Sequence, residues 1–375
     1  MKPIVLIKIL WLFFTWSLLS CSSSQPPEFS KTVVWESGEG NVEGYRIPGI
    51  VVTGKGTVLA FAEARVDYRD ETPNHLVLKR SEDGGKTWSN TIYIEKSDGS
   101  YWAEHKDEIA SVDNVLKKEV WTNVAPIVDK VTNRIFFFYA LNEGSINGKN
   151  LQRYTKVFYK YSDDDGCTWS VRKEITDLLN VNELGKSNLD ENGNPVLDMN
   201  GFPCDYRGRA FHMPGPGHGI QLSSGRLLLQ VWSRTALGKV DEAGVFQSIP
   251  IEERRYGMST LYSDDHGETW QYGSSFGENV RMGEARMVEL DNGDVYMNSR
   301  YTSEEKNNYR ATAISHDGGK KWTDISIDKN FPLSNQCDAG LIELKIKETS
   351  YLLYCKNEST EGRKNLVLKY SSDNG

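Results

Sequence analysis

Ser81-Glu82-Asp83-Gly84-Gly85-Lys86-Thr87-Trp88 is a phrase that this chain repeats. It returns as Ser162-Asp163-Asp164-Asp165-Gly166-Cys167-Thr168-Trp169 and as Ser263-Asp264-Asp265-His266-Gly267-Glu268-Thr269-Trp270. A fourth copy is Ser315-His316-Asp317-Gly318-Gly319-Lys320-Lys321-Trp322, and a fifth begins at Ser371-Ser372-Asp373-Asn374-Gly375. The physics of each box is local. Its aspartate accepts backbone N–H bonds within a tight turn, and its glycine supplies positive φ. The tryptophan is expected to pack the turn against a neighbour. A strand-like run precedes each copy, among them Leu76-Val77-Leu78, Val157-Phe158-Tyr159 and Leu366-Val367-Leu368. Such strand–turn–strand units, the last of them about 50 residues apart, fit one box per blade of a β-propeller. The two wider gaps between boxes are expected to hold a blade whose box is missing or degenerate, plus loops. One insertion, residues 178–209, is polar and rich in Gly and Asn, and reads as a loop.

A chain of 375 residues, 38% hydrophobic and 26% charged, is a globular protein with a large core. Its net charge of −8 argues against a nucleic-acid partner. An anionic substrate would need a local positive potential raised against that background. Lys2 and the apolar stretch from Ile9 to Leu19 precede Leu18-Leu19-Ser20-Cys21, which looks like a bacterial lipobox. On that resemblance residues 1–21 are a lipoprotein-type signal peptide, and acylated Cys21 anchors the protein in the bacterial cell envelope. Residues 22–32 are then a polar tether and 33–375 the folded domain. The spacings of Cys167, Cys204, Cys337 and Cys355 suit neither a zinc site nor a disulfide scaffold, and the six histidines show no metal spacing. No metal and no cofactor are expected.

Several charged residues sit where strands begin or end. Arg46 lies in Tyr45-Arg46-Ile47-Pro48-Gly49-Ile50, beside a proline that stiffens its backbone and pushes the preceding residue towards extended geometry. A guanidinium so held is a two-pronged donor for a carboxylate. Arg65 closes Leu59-Ala60-Phe61-Ala62-Glu63-Ala64-Arg65, and Asp67 and Asp70 follow in the next loop. Glu284 opens one strand, and Arg300 ends the next after a turn at Asp291-Asn292-Gly293, so both belong at one end of a hairpin. An ordinary cross-strand ion pair would explain them equally well. Glu289 and Arg286 fall elsewhere in the strand rhythm. Pro214-Gly215-Pro216-Gly217-His218-Gly219 opens a strand rather than a helix, which excludes a phosphate-binding loop.

The boxes resemble the Asp-box (BNR) repeats of sialidases, and Tyr45-Arg46-Ile47-Pro48 resembles the Arg-Ile-Pro motif of the same glycoside hydrolases. The resemblance runs from about Val33 onwards. It implies a six-bladed propeller whose last blade is incomplete in this chain. It implies exo-α-sialidase activity, the retaining removal of terminal sialic acids from sialylated glycans, by an expected monomer. Arg46, Arg300 and Arg363 would clamp the sugar carboxylate, and Arg65 would reach the substrate beside them. Asp70 matches the general acid and base, with Asp67 as the alternative. Asn123, in Trp121-Thr122-Asn123-Val124, would line the site. Glu284 would draw the proton from a tyrosine nucleophile, which avoids bringing a carboxylate up to an anomeric carbon that already bears one. In the family that tyrosine follows the last box-bearing strand pair, and no such residue follows the fifth box here, so little turnover is expected from this polypeptide. A non-catalytic sialoglycan-binding propeller and a trans-sialidase are the competing readings.

Overall fold

Among the described residues, nineteen strands, taken in chain order, fall into five antiparallel meanders. The computed structural model describes residues 30–105, 118–143, 145, 146, 149, 150, 152–243 and 245–373. The first sheet holds β1 (Gly44–Val52), β2 (Val58–Arg65), β3 (Asn74–Ser81) and β4 (Ile92–Glu95). The second holds β5 (Val120–Val128), β6 (Ile135–Asn142), β7 (Thr155–Ser162) and β8 (Lys173–Glu174). One parallel pair, Asn74 with Val120, ties these two together. The third is β9 (Phe211–Pro214), β10 (Leu227–Arg234), β11 (Tyr256–Ser263) and β12 (Gln271–Phe276). The fourth is β13 (Met282–Glu289), β14 (Val295–Tyr301), β15 (Arg310–Ser315) and β16 (Thr323–Asp328). The fifth is three-stranded: β17 (Gly340–Ile346), β18 (Thr349–Asn357) and β19 (Leu366–Ser371). Shorter ladders lie in the connections.

Each full box turns the chain from the third strand of a sheet to the fourth. In the third copy Asp265 Oδ1 accepts Thr269 N at 2.9 Å, Asp265 Oδ2 accepts Thr269 Oγ1 at 2.6 Å, and Ser263 Oγ takes Gly267 N at 2.8 Å. These bonds hold the Asp265 carboxyl below its ordinary range. The box tryptophans then bridge sheets. Trp169 of the second sheet meets Phe61 of the first at 6.1 Å, Trp270 of the third meets Phe138 of the second at 4.8 Å, and Trp322 of the fourth stacks on Phe276 of the third at 4.9 Å. The apolar cores lie between successive sheets in the same way. Phe136 and Phe138 pack with Leu227, Leu229 and Leu261, and Leu228 and Met258 pack with Met287 and Met297. Alternating apolar residues therefore bury both faces of the inner sheets, which explains runs such as Ile135-Phe136-Phe137-Phe138-Tyr139.

Two expectations need correction. Among the described residues the wider gaps hold no boxless sheet of three or more strands; they are filled by connections with two-stranded ladders, and each of the five larger sheets carries its own box. The 178–209 insertion is more regular than a loop. Bridges Val181–Ser187, Leu189–Pro195 and Leu197–Pro203 recur every eight residues. Asn182, Asp190 and Asp198 each accept two backbone N–H groups of their own turn, so the segment is a stack of side-chain-capped turns. Residues Val33–Gly375 form one compact unit. The leader, Cys21 and most of the tether lie outside the described residues.

Candidate active site

A cavity of about 1030 Å³ collects the ends of strands from all five sheets. Arg46, Arg65, Asp70, Asn123, Glu284, Arg300 and Arg363 all line it. Residues more than 300 positions apart in the chain thus share one concave surface.

Arg46 enters from β1, where the ladder slips between Arg46 and Gly49. Ile47 was expected to be extended ahead of Pro48; it has φ 52° instead. A β-branched residue in the left-handed region is strained, and this kink sets Arg46 apart from the regular ladder. Its Nη1 lies 3.7 Å from Asp70 Oδ1. Arg65, only 2% exposed, ends β2 and bonds two acids. Its Nε donates to Glu63 Oε2 at 2.8 Å, and its Nη1 donates to Asp70 Oδ1. Glu63 is itself fixed, accepting Thr122 Oγ1 at 2.8 Å and Asn123 N at 2.6 Å. A buried chain of bonds therefore orients Arg65, which in turn holds Asp70 at the mouth, where its side chain remains 62% exposed. Asp67 does not line the cavity. It pairs with Arg69 at 2.7 Å, and that bond holds its carboxyl down at about 2.

On the fourth sheet Glu284 Oε2 accepts Arg300 Nη1 at 3.0 Å, and Arg300 Nε is buried without an acceptor. Arg363, in the turn before β19, donates to the Gln336 carbonyl at 3.2 Å and is otherwise exposed. Glu289 lies at the other end of β13, bonded to Ser223 N at 2.6 Å.

Arg286, set aside by the strand rhythm, does reach the cavity. It lies two residues from Glu284 on β13, the spacing that puts side chains on one face of a strand, and both line the cavity. Its Nη2 meets Asp338 Oδ2 at 2.6 Å, and its Nη1 donates to the Pro216 carbonyl. A Cβ on Gly217 would come within 1.9 Å of that guanidinium, so the Gly-Pro-Gly turn is shaped to admit an arginine. Burial pushes the Asp338 carboxyl up to about 6 against the pull of Arg286. No sequence signal marked Asp338 or the cavity-lining Lys356, whose Nζ donates to Asn335 O at 3.0 Å.

Eight arginine and lysine side chains line the cavity against the carboxylates of Asp70, Glu284 and Asp338. In a chain of net charge −8, that is a focused positive potential. Among the described residues no group of three or more His, Cys, Asp or Glu could hold a metal ion.

The chain is similar to several known proteins. Residues 203–375 match a profile described as a BNR repeat-like domain. The chain is 27% identical to a sialidase of Bacteroides fragilis, over 91% of this chain and 55% of that protein. It is 28% identical to a sialidase of Micromonospora viridifaciens, over 82% of this chain and 40% of that protein. It therefore spans about half the length of these relatives. Among solved structures it is similar to the Hadza microbial sialidase Hz136, with TM-score 0.67 and 23% identity over 90% of this chain and 58% of that one. It is also similar to the intramolecular trans-sialidase from Ruminococcus gnavus, solved with oseltamivir carboxylate. That match has TM-score 0.62 and 17% identity, over 89% of this chain and 83% of that one.

Proposed function

Taking the chain as a relative of the sialidases with BNR repeats, we propose that it belongs to an exo-α-sialidase acting on terminal sialic acids of glycans. One observation carries the reading: Arg46, Arg300 and Arg363, from three different sheets, line one cavity together with Asp70 and Glu284. Three guanidinium groups converging from separate sheets are costly to assemble unless an anion sits among them.

In this mechanism the arginines hold the sugar carboxylate. Asp70, exposed at the mouth and oriented by Arg65, gives its proton to the leaving oxygen and then takes one from water. Glu284 is the base for a tyrosine, and its bond to Arg300 keeps it aimed. Neither cavity tyrosine meets it: Tyr45 Oη donates to Glu39 O at 2.9 Å, and Tyr256 has no bond to Glu284. The nucleophile is the one role that the described residues leave open. The sheets are read as blades of a six-bladed propeller around this cavity, which the sheet-to-sheet packing supports. Anchoring through a lipidated Cys21 in the bacterial envelope, with sialylated glycans as partners, belongs to the same proposal. Metabolic labelling with a fatty acid, compared with Cys21→Ala, tests the anchor.

The function is tested by titrating the protein with sialic acid and incubating it with a fluorogenic sialoside, with and without Arg46→Ala. Arg46-dependent binding with release of the α-anomer supports the retaining sialidase. Arg46-dependent binding without release favours the glycan-binding reading, and no binding of the sugar overturns both.

A further inference from the structure

The proposed chemistry leaves one wall of the cavity unused. Trp232 and Arg234 lie two apart on β10 and so share a face. Opposite them in the ladder stand Met213 and Phe211 of β9, and Tyr256 of β11 pairs with Arg234 on its other side. All five line the cavity.

Arg234 is 2% exposed, with its guanidinium carbon 3.8 Å from the centroid of the Phe211 ring. Its Nη1 donates to the carbonyls of Gln152 at 2.9 Å and Thr235 at 3.0 Å, and its Nη2 to Gln152 Oε1. Among the described residues no carboxylate pairs with it. Glu143, whose charge reaches it, is held by Arg153 at 2.8 Å. Burial lowers the guanidinium to about 10. Trp232 packs on the same Phe211 ring, with centroids 5.6 Å apart, and its Nε1–H is buried without an acceptor. A buried cation balanced only by carbonyl dipoles and a ring face, next to an orphaned indole donor, is costly in the empty protein. A negatively charged oxygen would answer both. Arg46, Arg300 and Arg363 come from other sheets, so a sugar held by them leaves β10 to meet a different part of the ligand.

We propose that Trp232 and Arg234 form a second anion subsite, which favours sialoglycans carrying another negative group besides the carboxylate held by the arginine trio. The inference rests on the sialoglycan reading given above. The group is a sulfate ester or the acid of a second sialic acid, and the test separates these sources.

Calorimetric titrations compare the methyl glycoside of sialic acid, the same glycoside sulfated on its side chain, and a disaccharide of two linked sialic acids. At least one dianionic ligand is expected to bind about tenfold more tightly than the methyl glycoside, and which one does identifies the source. In Arg234→Gln that ratio falls to about one. Trp232→Phe, which keeps the ring and removes the donor, lowers it about threefold, so the result survives if the arginine variant fails to fold. A methyl glycoside that binds through Arg46, with no gain from either second charge, overturns this inference alone. So does a gain that persists in both variants. Failure of all three ligands overturns the sialoglycan reading as well.

Discussion

The Arg286 guanidinium and the Asp338 carboxylate meet at 2.6 Å within the cavity lining, and each depends on the other to be buried at all. Asp338 is pushed up to about 6 by burial, with Glu284 adding to the rise and Arg286 opposing it. Its folded value lies above its unfolded one, so its contribution to stability is complete below about pH 4 and is lost as pH rises through about 6. Melting temperatures measured from pH 4 to 7 should show a downward contribution that Asp338→Asn removes. An unchanged profile would remove Asp338 as its source.

Truncating the other partner leaves the acid alone. Arg286→Ala strands a buried carboxylate, for which the expected cost is about 3–5 kcal/mol. Urea denaturation checks this. A loss under about 1 kcal/mol would mean that the pair is solvated in solution.

Arg46 and Asp70 should separate binding from chemistry. Arg46→Ala removes a charged donor worth about 1.5–3 kcal/mol, or roughly 10- to 100-fold in affinity for sialic acid. Asp70→Ala frees Arg46 and Arg65 from a carboxylate that competes for them, so affinity should hold or rise, while in a full-length protein that supplies the tyrosine nucleophile sialoside cleavage slows by about 10²–10⁴. Titration calorimetry and a fluorogenic assay give the two numbers. Weakened binding in Asp70→Ala would contradict the division of roles.

Gly166, Gly267 and Gly319 of the boxes are wedged against Leu59, Phe136 and Leu228 of the preceding sheets. A Cβ on Gly267 would fall 2.0 Å from the Phe136 ring, at a φ of +83°. Gly267→Ala should therefore cost about 1–3 kcal/mol for overpacking and roughly 1 more for the left-handed backbone. The expected readout is a lower denaturation midpoint. Gly193, also at positive φ but with nothing within 4 Å, should lose only the backbone part.

The fifth sheet exposes an apolar strand. Leu366, Leu368 and Tyr370 are 75%, 70% and 75% exposed on β19, and Ile342 and Ile346 of β17 are also open. An uncovered edge of this kind promotes self-association. Leu366→Thr with Leu368→Thr should lower the sedimentation-measured association of this polypeptide without reducing its melting temperature. Equal association in both proteins would show that the face is not the contact.

Much of the site was legible because its signals are local. Arg46 beside Pro48, Glu63-Ala64-Arg65 ahead of Asp70, and Glu284 with Arg300 flanking a hairpin are short patterns, and the cavity contains Arg46, Arg65, Asp70, Glu284, Arg300 and Arg363. The eight-residue turn ladder was also written in Asp190-Glu191-Asn192-Gly193 and Asp198-Met199-Asn200-Gly201, although its regularity shows only once the bridges are drawn. Arg286 was set aside although it stands two residues from Glu284 on β13, because its partner Asp338 lies far along the chain and no local pattern links the two.

By itself the sequence determined the boxes, the all-β class and the types of residue available for an anion site, since turn chemistry and strand alternation act over a few neighbouring residues. Only the tertiary structure decided that a tryptophan in one box packs on the sheet before it, that Arg286 finds Asp338, and that among the described residues Arg234 finds no acid. Those outcomes depend on which side chains are buried together across distant segments, and burial is what makes a pairing, or its absence, matter.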